Sequence, residues 1–207
     1  MTLVALSAAY GTGGNRIGSE LAQRLGVPFV DRAIAAAVAE RLDVSVADAI
    51  AQQEGTVPAG GLLERLLAGF AGAYTGAPAP LPPEGVTAED FHRASREAIE
   101  AQAATGAGVI LGRGAAAALR EDPRVLRVRL TGPAERRMKQ AMRVRGLDRQ
   151  SAERTVRALD RAHADYLRRF YDADIRDPDL YHLILDATAL RAELCVELIE
   201  RAAECGH

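Results

Sequence analysis

The chain has 207 residues, 48% hydrophobic and 26% charged, a length that fits one domain with a full core. No run of about 18 uncharged apolar residues exists to span a membrane. The formal net charge of −2 hides an asymmetry: residues 113–169 hold fifteen arginines and Lys139, the chain's one lysine, against seven acids, a local balance of about +9.

Residues 2–7 form an apolar run that reads as a buried first strand; with no positive region before it, it does not read as a secretory leader. Glycines follow at 11, 13 and 14. Ile17, Leu21 and Leu25 then recur at helical spacing, and Gly26 stops the helix. Residues 27–30 make a second strand ended by Asp31, and helical patterns continue to about Gln53. Residues 69–87 carry four prolines among several glycines and read as a mobile insert. Thr87 opens a helix that runs to about Ala104. Residues 108–112 are a third strand, hydrophobic throughout, as expected when both faces are covered. Residues 125–130 are a fourth. Its Arg127 and Arg129 alternate with apolar residues and place it nearer an edge. Pro133 begins a helix to about Arg145, and Asp148 caps a long helix to Tyr171. Residues 182–186 are a fifth strand, and 191–204 a closing helix. It carries Cys195, with Cys205 just beyond. Two cysteines without a C-x-x-C or histidine companion suit a reducing, cytoplasmic setting. Five alternations of strand and helix predict an α/β fold: a five-stranded parallel sheet with helices on both faces.

Three features could carry chemistry. A glycine loop between a strand and a helix presents main-chain N–H groups and a helix N-terminus to an anion. The strict phosphate-loop pattern G-x-x-x-x-G-K-[ST] is not met: Gly13 takes the last glycine, Gly14 the lysine and Asn15 the hydroxyl residue. The dinucleotide pattern fails at Arg16, and a tight turn with no ligand also explains the loop. Second, Gly112-Arg113-Gly114 ends the third strand, where parallel sheets bind ligands. Arg113 there offers either a forked guanidinium to phosphate or a surface ion pair. Third, Arg154, Arg157, Arg161, Asp165 and Arg168 fall within about 80° on the long helix. Val156, Leu159, His163, Tyr166, Leu167 and Phe170 fall opposite, so His163 reads as a core histidine. With Arg136, Arg137, Arg143 and Arg145 just before, the helix pair at 133–171 reads as an arginine-rich lid over polyphosphate, although such rows are often only solvated. Asp31 and Arg32 end the second strand, and Asp31 could orient a ligand or cap a helix. Asp172, Asp174, Asp177 and Asp179 read as a solvated acidic turn, and no metal site is expected.

Taken together, AAYGTGGNRIGSELAQRLGVPFVDR, VILGRGAAAALREDPRVLRVRLTGPAERR and LDRAHADYLRRFYDADIRDPDLYHLILDAT resemble, in that order, three blocks of the cytidylate kinase-like family, a branch of the P-loop nucleoside monophosphate kinases. The resemblance implies a three-layer P-loop NTPase-like domain over residues 1–207. It implies ATP with Mg²⁺ as donor and a CMP- or dCMP-like acceptor. Gly11, Thr12, Gly13, Gly14, Asn15 and Arg16 would hold the donor. Asp31, Arg32 and Arg113 would meet the acceptor, and Arg157, Arg161 and Arg168 would reach the transferring group. Authentic cytidylate kinases carry a lysine and an aspartate where this chain has Gly14 and Gly114; Arg16 is the candidate to replace the lysine. The expected function is therefore phosphoryl transfer to a nucleoside monophosphate, with a non-catalytic nucleotide sensor as the alternative. Nucleotides are the expected partners. A membrane is not expected, nor is nucleic acid, for want of exposed aromatics and net positive charge. A dinucleotide oxidoreductase is disfavoured by Arg16, and homodimerisation stays open.

Overall fold

A computed structural model describes residues 2–30, 88–112 and 114–205. The helical pattern to Gln53, the insert at 69–87, and Asp31, Arg32 and Arg113 lie outside the described residues. The elements in chain order are β1 (Leu3–Ala8), α1 (Gly14–Leu25), β2 (Phe29–Val30), α2 (Ala88–Ala104), β3 (Gly108–Leu111), α3 (Ala115–Ala118), β4 (Val125–Thr131), α4 (Ala134–Arg145), α5 (Arg149–Tyr171) and β5 (Leu183–Asp186). A 3₁₀ turn (Pro178–Leu180) precedes β5, and α6 (Ala192–Cys205) closes the chain. All five strands run parallel in the order β2-β3-β1-β4-β5. The connection after β1 leads toward one edge and that after β4 toward the other. The carboxyl end of β1, where these directions diverge, is where open α/β sheets bind ligands.

Alternation along the strands builds two cores. Leu3, Ala5, Ile110 and Val125 point to one face and meet Ile99 of α2, the alanines of α3, and Ala162, Tyr166 and Leu167 of α5. Val4, Leu6, Val109, Leu111, Leu126 and Val128 point to the other and meet Ile17 and Leu21 of α1 and Val196 and Ile199 of α6. A fully apolar central strand needs such a double-sided cover. A small third cluster joins Met138 of α4 to Ala152 and Val156 of α5, with Tyr10 of the glycine loop packed against it. That pad seats the α4–α5 pair beside the loop. Among the described residues no helix is long and apolar enough to cross a membrane.

Of two expectations about arginines, one holds and one needs correction. β4 does lie near an edge, one strand in: it pairs with β1 on one side and with the edge strand β5 on the other. Its arginines are accommodated because neighbouring oxygens accept their hydrogen bonds. Arg127 donates to the carbonyls of Leu180 (2.9 Å) and Arg120 (3.1 Å), and Arg129 donates to Ser7 Oγ (2.7 Å). The one that fails is Arg137, which does not join the exposed arginines of α4 but is buried, at 6% exposure.

The long helix begins as the sequence indicates. Asp148 accepts from Ser151 N at 2.9 Å and from Ser151 Oγ at 2.6 Å. An N-cap carboxylate satisfies one of the orphan donors of the first turn. Asp148→Ala is expected to lower the melting temperature by about 3 °C in a thermal unfolding scan. An unchanged midpoint would show that the cap is not needed.

Candidate active site

The loop after β1 is shaped by its own hydrogen bonds. Ala9 N extends the β1–β4 pairing by donating to Leu130 O at 2.9 Å. The chain then turns back on Ala9: Thr12 N and Thr12 Oγ1 both donate to its carbonyl, at 3.2 and 2.7 Å. Thr12 is 1% exposed, so its hydroxyl serves the turn rather than solvent. Gly11 and Gly13 have φ of +82° and +76°, which L side chains adopt only with strain. Gly13 is the N-cap of α1 and supplies no side-chain acceptor. The amides of Gly14, Asn15 and Arg16 therefore begin the helix with no acceptor inside it, the arrangement that binds anions.

The position aligned with the phosphate-loop lysine is a packing position. A Cβ at Gly14 would lie 2.4 Å from Ala8 Cβ, and one at Gly18 would lie 2.7 Å from the Phe29 ring. The two glycines are one turn apart and let α1 press against the sheet. Ala8 occupies the place of the first glycine in the strict pattern. The two departures compensate each other: an alanine at 8 requires a glycine at 14. Sequence reading noted the missing lysine but not its partner at Ala8, although the six-residue spacing was visible.

Asn15 sits where the pattern has its hydroxyl residue. Its Oδ1 is buried and has no hydrogen-bond partner among the described residues. A hard, neutral carbonyl oxygen of this kind suits a magnesium ion held mainly by phosphate and water. No group of three or more His, Cys, Asp or Glu among the described residues could hold a metal ion.

Beside the loop lies an open cleft of about 350 Å³, between the glycine loop, α4 and the segment joining β5 to α6. Thr12, Gly13 and Arg16 line one wall, Gln140 and Arg143 another, and residues 187–193 the third. Asp186 shapes that third wall. Its Oδ1 accepts from Thr188 Oγ1 (2.5 Å), Thr188 N (2.9 Å) and Ala189 N (3.2 Å). The Thr188 hydroxyl is the main cause of a carboxyl held below its ordinary pKa. Three cations line the cleft, Arg16, Arg143 and Arg191, against the single carboxylate of Glu193. Arg16 is ion-paired with Glu193. The Glu193 carboxyl titrates below its ordinary value, chiefly through a main-chain amide and then through Arg16 and Arg191. Arg143 is exposed and makes no ion pair or hydrogen bond among the described residues.

The three lid arginines of the sequence reading are exposed, and none lines this cleft. Arg157 pairs with Glu153 at 2.7 Å and Arg168 with Asp165 at 3.4 Å, both on the same helix. Arg161 has no partner among the described residues. His163, on the opposite face, has an enclosed imidazole although part of the residue reaches the surface. Burial, and then the charge of Arg129, hold its pKa down to about 3. Tyr171, at the end of α5, packs on Gly114, where a Cβ would meet its ring at 2.6 Å. An aspartate at 114 would clash with that ring. Sequence reasoning missed Arg143 and Gln140 as individual wall residues, because the facing of α4 depends on how it docks.

A family model described as the cytidylate kinase-like family matches residues 3–189. No curated protein matches the sequence. Among solved structures, an uncharacterized protein from Eubacterium ventriosum is similar at TM-score 0.67 and 15% identity, over 99% of each chain. A shikimate kinase from Bacteroides thetaiotaomicron gives 0.53 at 15% identity, over 97% of this chain and 96% of that one. A sugar kinase from Janibacter sp. gives 0.51 at 20% identity, over 96% and 92%. At such identities the likeness shows the fold and not the substrate. The family match supports a nucleotide-binding phosphotransferase. By the extent of that match, and by the parallel sheet and glycine loop that go with it, the chain belongs to the cytidylate kinase-like family.

Proposed function

We propose that the protein transfers a phosphoryl group from ATP–Mg²⁺ to a nucleoside monophosphate of the cytidylate type, in the cytoplasm. The observation that carries this reading is the cleft in which the glycine loop and three arginines surround one carboxylate. The first-turn amides of α1, with Gly11 and Gly13 allowing close approach, would hold the donor phosphates. Asn15 Oδ1 would take a place around the magnesium, which neutralises charge on the transferring group when bound. Arg143 and Arg191 would supply cationic charge in place of the absent lysine, and Arg16 would join them on leaving Glu193. Asp31, Arg32 and Arg113 are assigned to the acceptor. Arg157, Arg161 and Arg168 are assigned to closure over both ligands. Phosphoryl transfer depends mainly on positioning and charge stabilisation, so a set of arginines can stand in for one lysine.

The test is incubation with ATP, magnesium and each nucleoside monophosphate in turn, with diphosphate product followed by chromatography. Product with a cytidine or deoxycytidine acceptor is expected. Arg143→Gln is expected to lower kcat/KM about 10²-fold, the scale of losing one preorganised charge donor. The absence of product with every acceptor would sink the catalytic reading. A second reading, a nucleotide sensor without turnover, is favoured by one observation: Gly14 is packed where a lysine cannot stand. It predicts a thermal shift with ATP and no product.

A further inference from the structure

Arg137 joins the glycine loop to both helices of the lid. It lies on α4 and is 6% exposed. Its Nε donates to Gly132 O at 2.9 Å, at the end of β4, and one terminal nitrogen donates to Tyr10 O at 3.1 Å. The same nitrogen and the other hold the two oxygens of Asp160, on α5, at 2.9 and 2.6 Å. A fork that reaches three elements fixes their relative rotation as well as their distance. A second contact converges on the same residue. Gly11 lies so close to the main chain of Arg137 that a Cβ there would stand 2.5 Å from its carbonyl oxygen. A third is the apolar pad of Tyr10, Met138 and Val156.

An arginine that only stapled two helices would need Asp160 and nothing more. This one also holds the carbonyl of the residue just before Gly11. Asp160, in turn, lies between Arg157 and Arg161 in the α5 sequence, so its bidentate pairing ties the helix segment that carries those two cations to α4. We infer that Arg137 is a positioning residue that couples the glycine loop to α5: an anion seated on the loop orders the lid helix, and the ordered helix favours the anion. Such coupling is reciprocal, so cutting the link weakens both effects. The inference rests on the phosphate-binding reading of the loop and adds the route by which the loop and lid communicate.

The experiment uses the full chain, with inorganic triphosphate and ATP–Mg²⁺ as probes, titrated by calorimetry at 15 °C. Hydrogen exchange of the 149–165 amides is followed with and without triphosphate. In the wild-type chain, triphosphate is expected to slow exchange across α5. Asp160→Asn, which removes the charged half of the fork and leaves the Tyr10 bond in place, is expected to lose most of that protection. Its triphosphate Kd should rise about 5-fold. Arg137→Met should raise Kd about 20-fold; Asp160→Asn decides the matter should that variant fail to fold. A merely structural fork would lower the melting temperature of Asp160→Asn while leaving its Kd and its α5 protection as in wild type. That result overturns the coupling alone. A wild-type chain that binds neither triphosphate nor ATP overturns the phosphate reading, and the coupling with it.

Discussion

Gly14→Lys, the change that restores the phosphate-loop lysine, is expected to destabilise the protein rather than activate it. The Cβ it adds would lie 2.4 Å from Ala8 Cβ. Both atoms are fixed by the backbone, so no rotamer change relieves the contact. α1 would have to lift from β1, and Gly18 shares that close approach against Phe29. Overpacking of this kind costs about 1–3 kcal/mol or more. In a chain of this length that is a fall of about 3–10 °C in melting temperature. The φ of Gly14 is not in the left-handed region, so the penalty is steric and not conformational. Removing the opposing methyl should therefore relieve it. Ala8→Gly alone costs about 1 kcal/mol through chain entropy in a strand. The double change Ala8→Gly with Gly14→Lys should melt near Ala8→Gly and bind triphosphate about tenfold more tightly than wild type. Scanning calorimetry on the four proteins decides it. Equal midpoints for wild type and Gly14→Lys would show that the loop has room for the lysine after all.

Mild acid should destabilise the protein through His163. An imidazole in the unfolded chain takes its proton near pH 6.5, but the enclosed ring of the folded chain does so only near 3. Between those values the unfolded state binds more protons. The stabilising contribution is whole above pH 6.5 and is lost as pH falls toward 3. The slope is about 1.4 kcal/mol per pH unit for one proton, so the loss between pH 6.5 and 4.5 is about 2–3 kcal/mol. His92 moves in the same direction, through burial and then Arg96. Asp122 and Asp174 are held to about 2 by hydrogen bonds from Arg124 and Arg176. Their contributions fade only below the ordinary carboxylate range, outside this window. Urea unfolding of wild type and His163→Gln at pH 6.5, 5.5 and 4.5 should give a markedly flatter dependence for the variant. Parallel curves would mean that the ring titrates in the folded state as it does in water.

Much of the scaffold was legible from local pattern. The five strands, the glycine loop at the end of the first, and the Asp148 cap of α5 follow from runs of apolar residues and from capping chemistry. Both act within a few residues of chain. The opposite faces of α5 follow from helical period in the same way. The short helix α3 was not read, because four alanines between Gly114 and Leu119 carry no amphipathic signal; three of them are buried and Ala118 partly so. Arg127 and Arg129 point to the position of β4 near an edge but not to the groups that meet them. Cations in a strand ordinarily mark solvent, and only the folded chain brings the carbonyls of Leu180 and Arg120 and the hydroxyl of Ser7 to them.

The sequence by itself determined the order of elements, the parallel α/β architecture and the glycine loop at the end of the first strand, because strand and helix periodicity and glycine backbone freedom are properties of neighbouring residues. Only the tertiary structure decided which cations belong to the cleft, which one is buried, and why no lysine stands in the loop. Arg137 and Arg143 are chemically identical and lie on one helix. Docking of α4 turns the first toward Tyr10 and Asp160 and the second toward the cleft. The contact between Ala8 and Gly14 likewise depends on how deeply α1 settles on the sheet, a distance that no local pattern encodes.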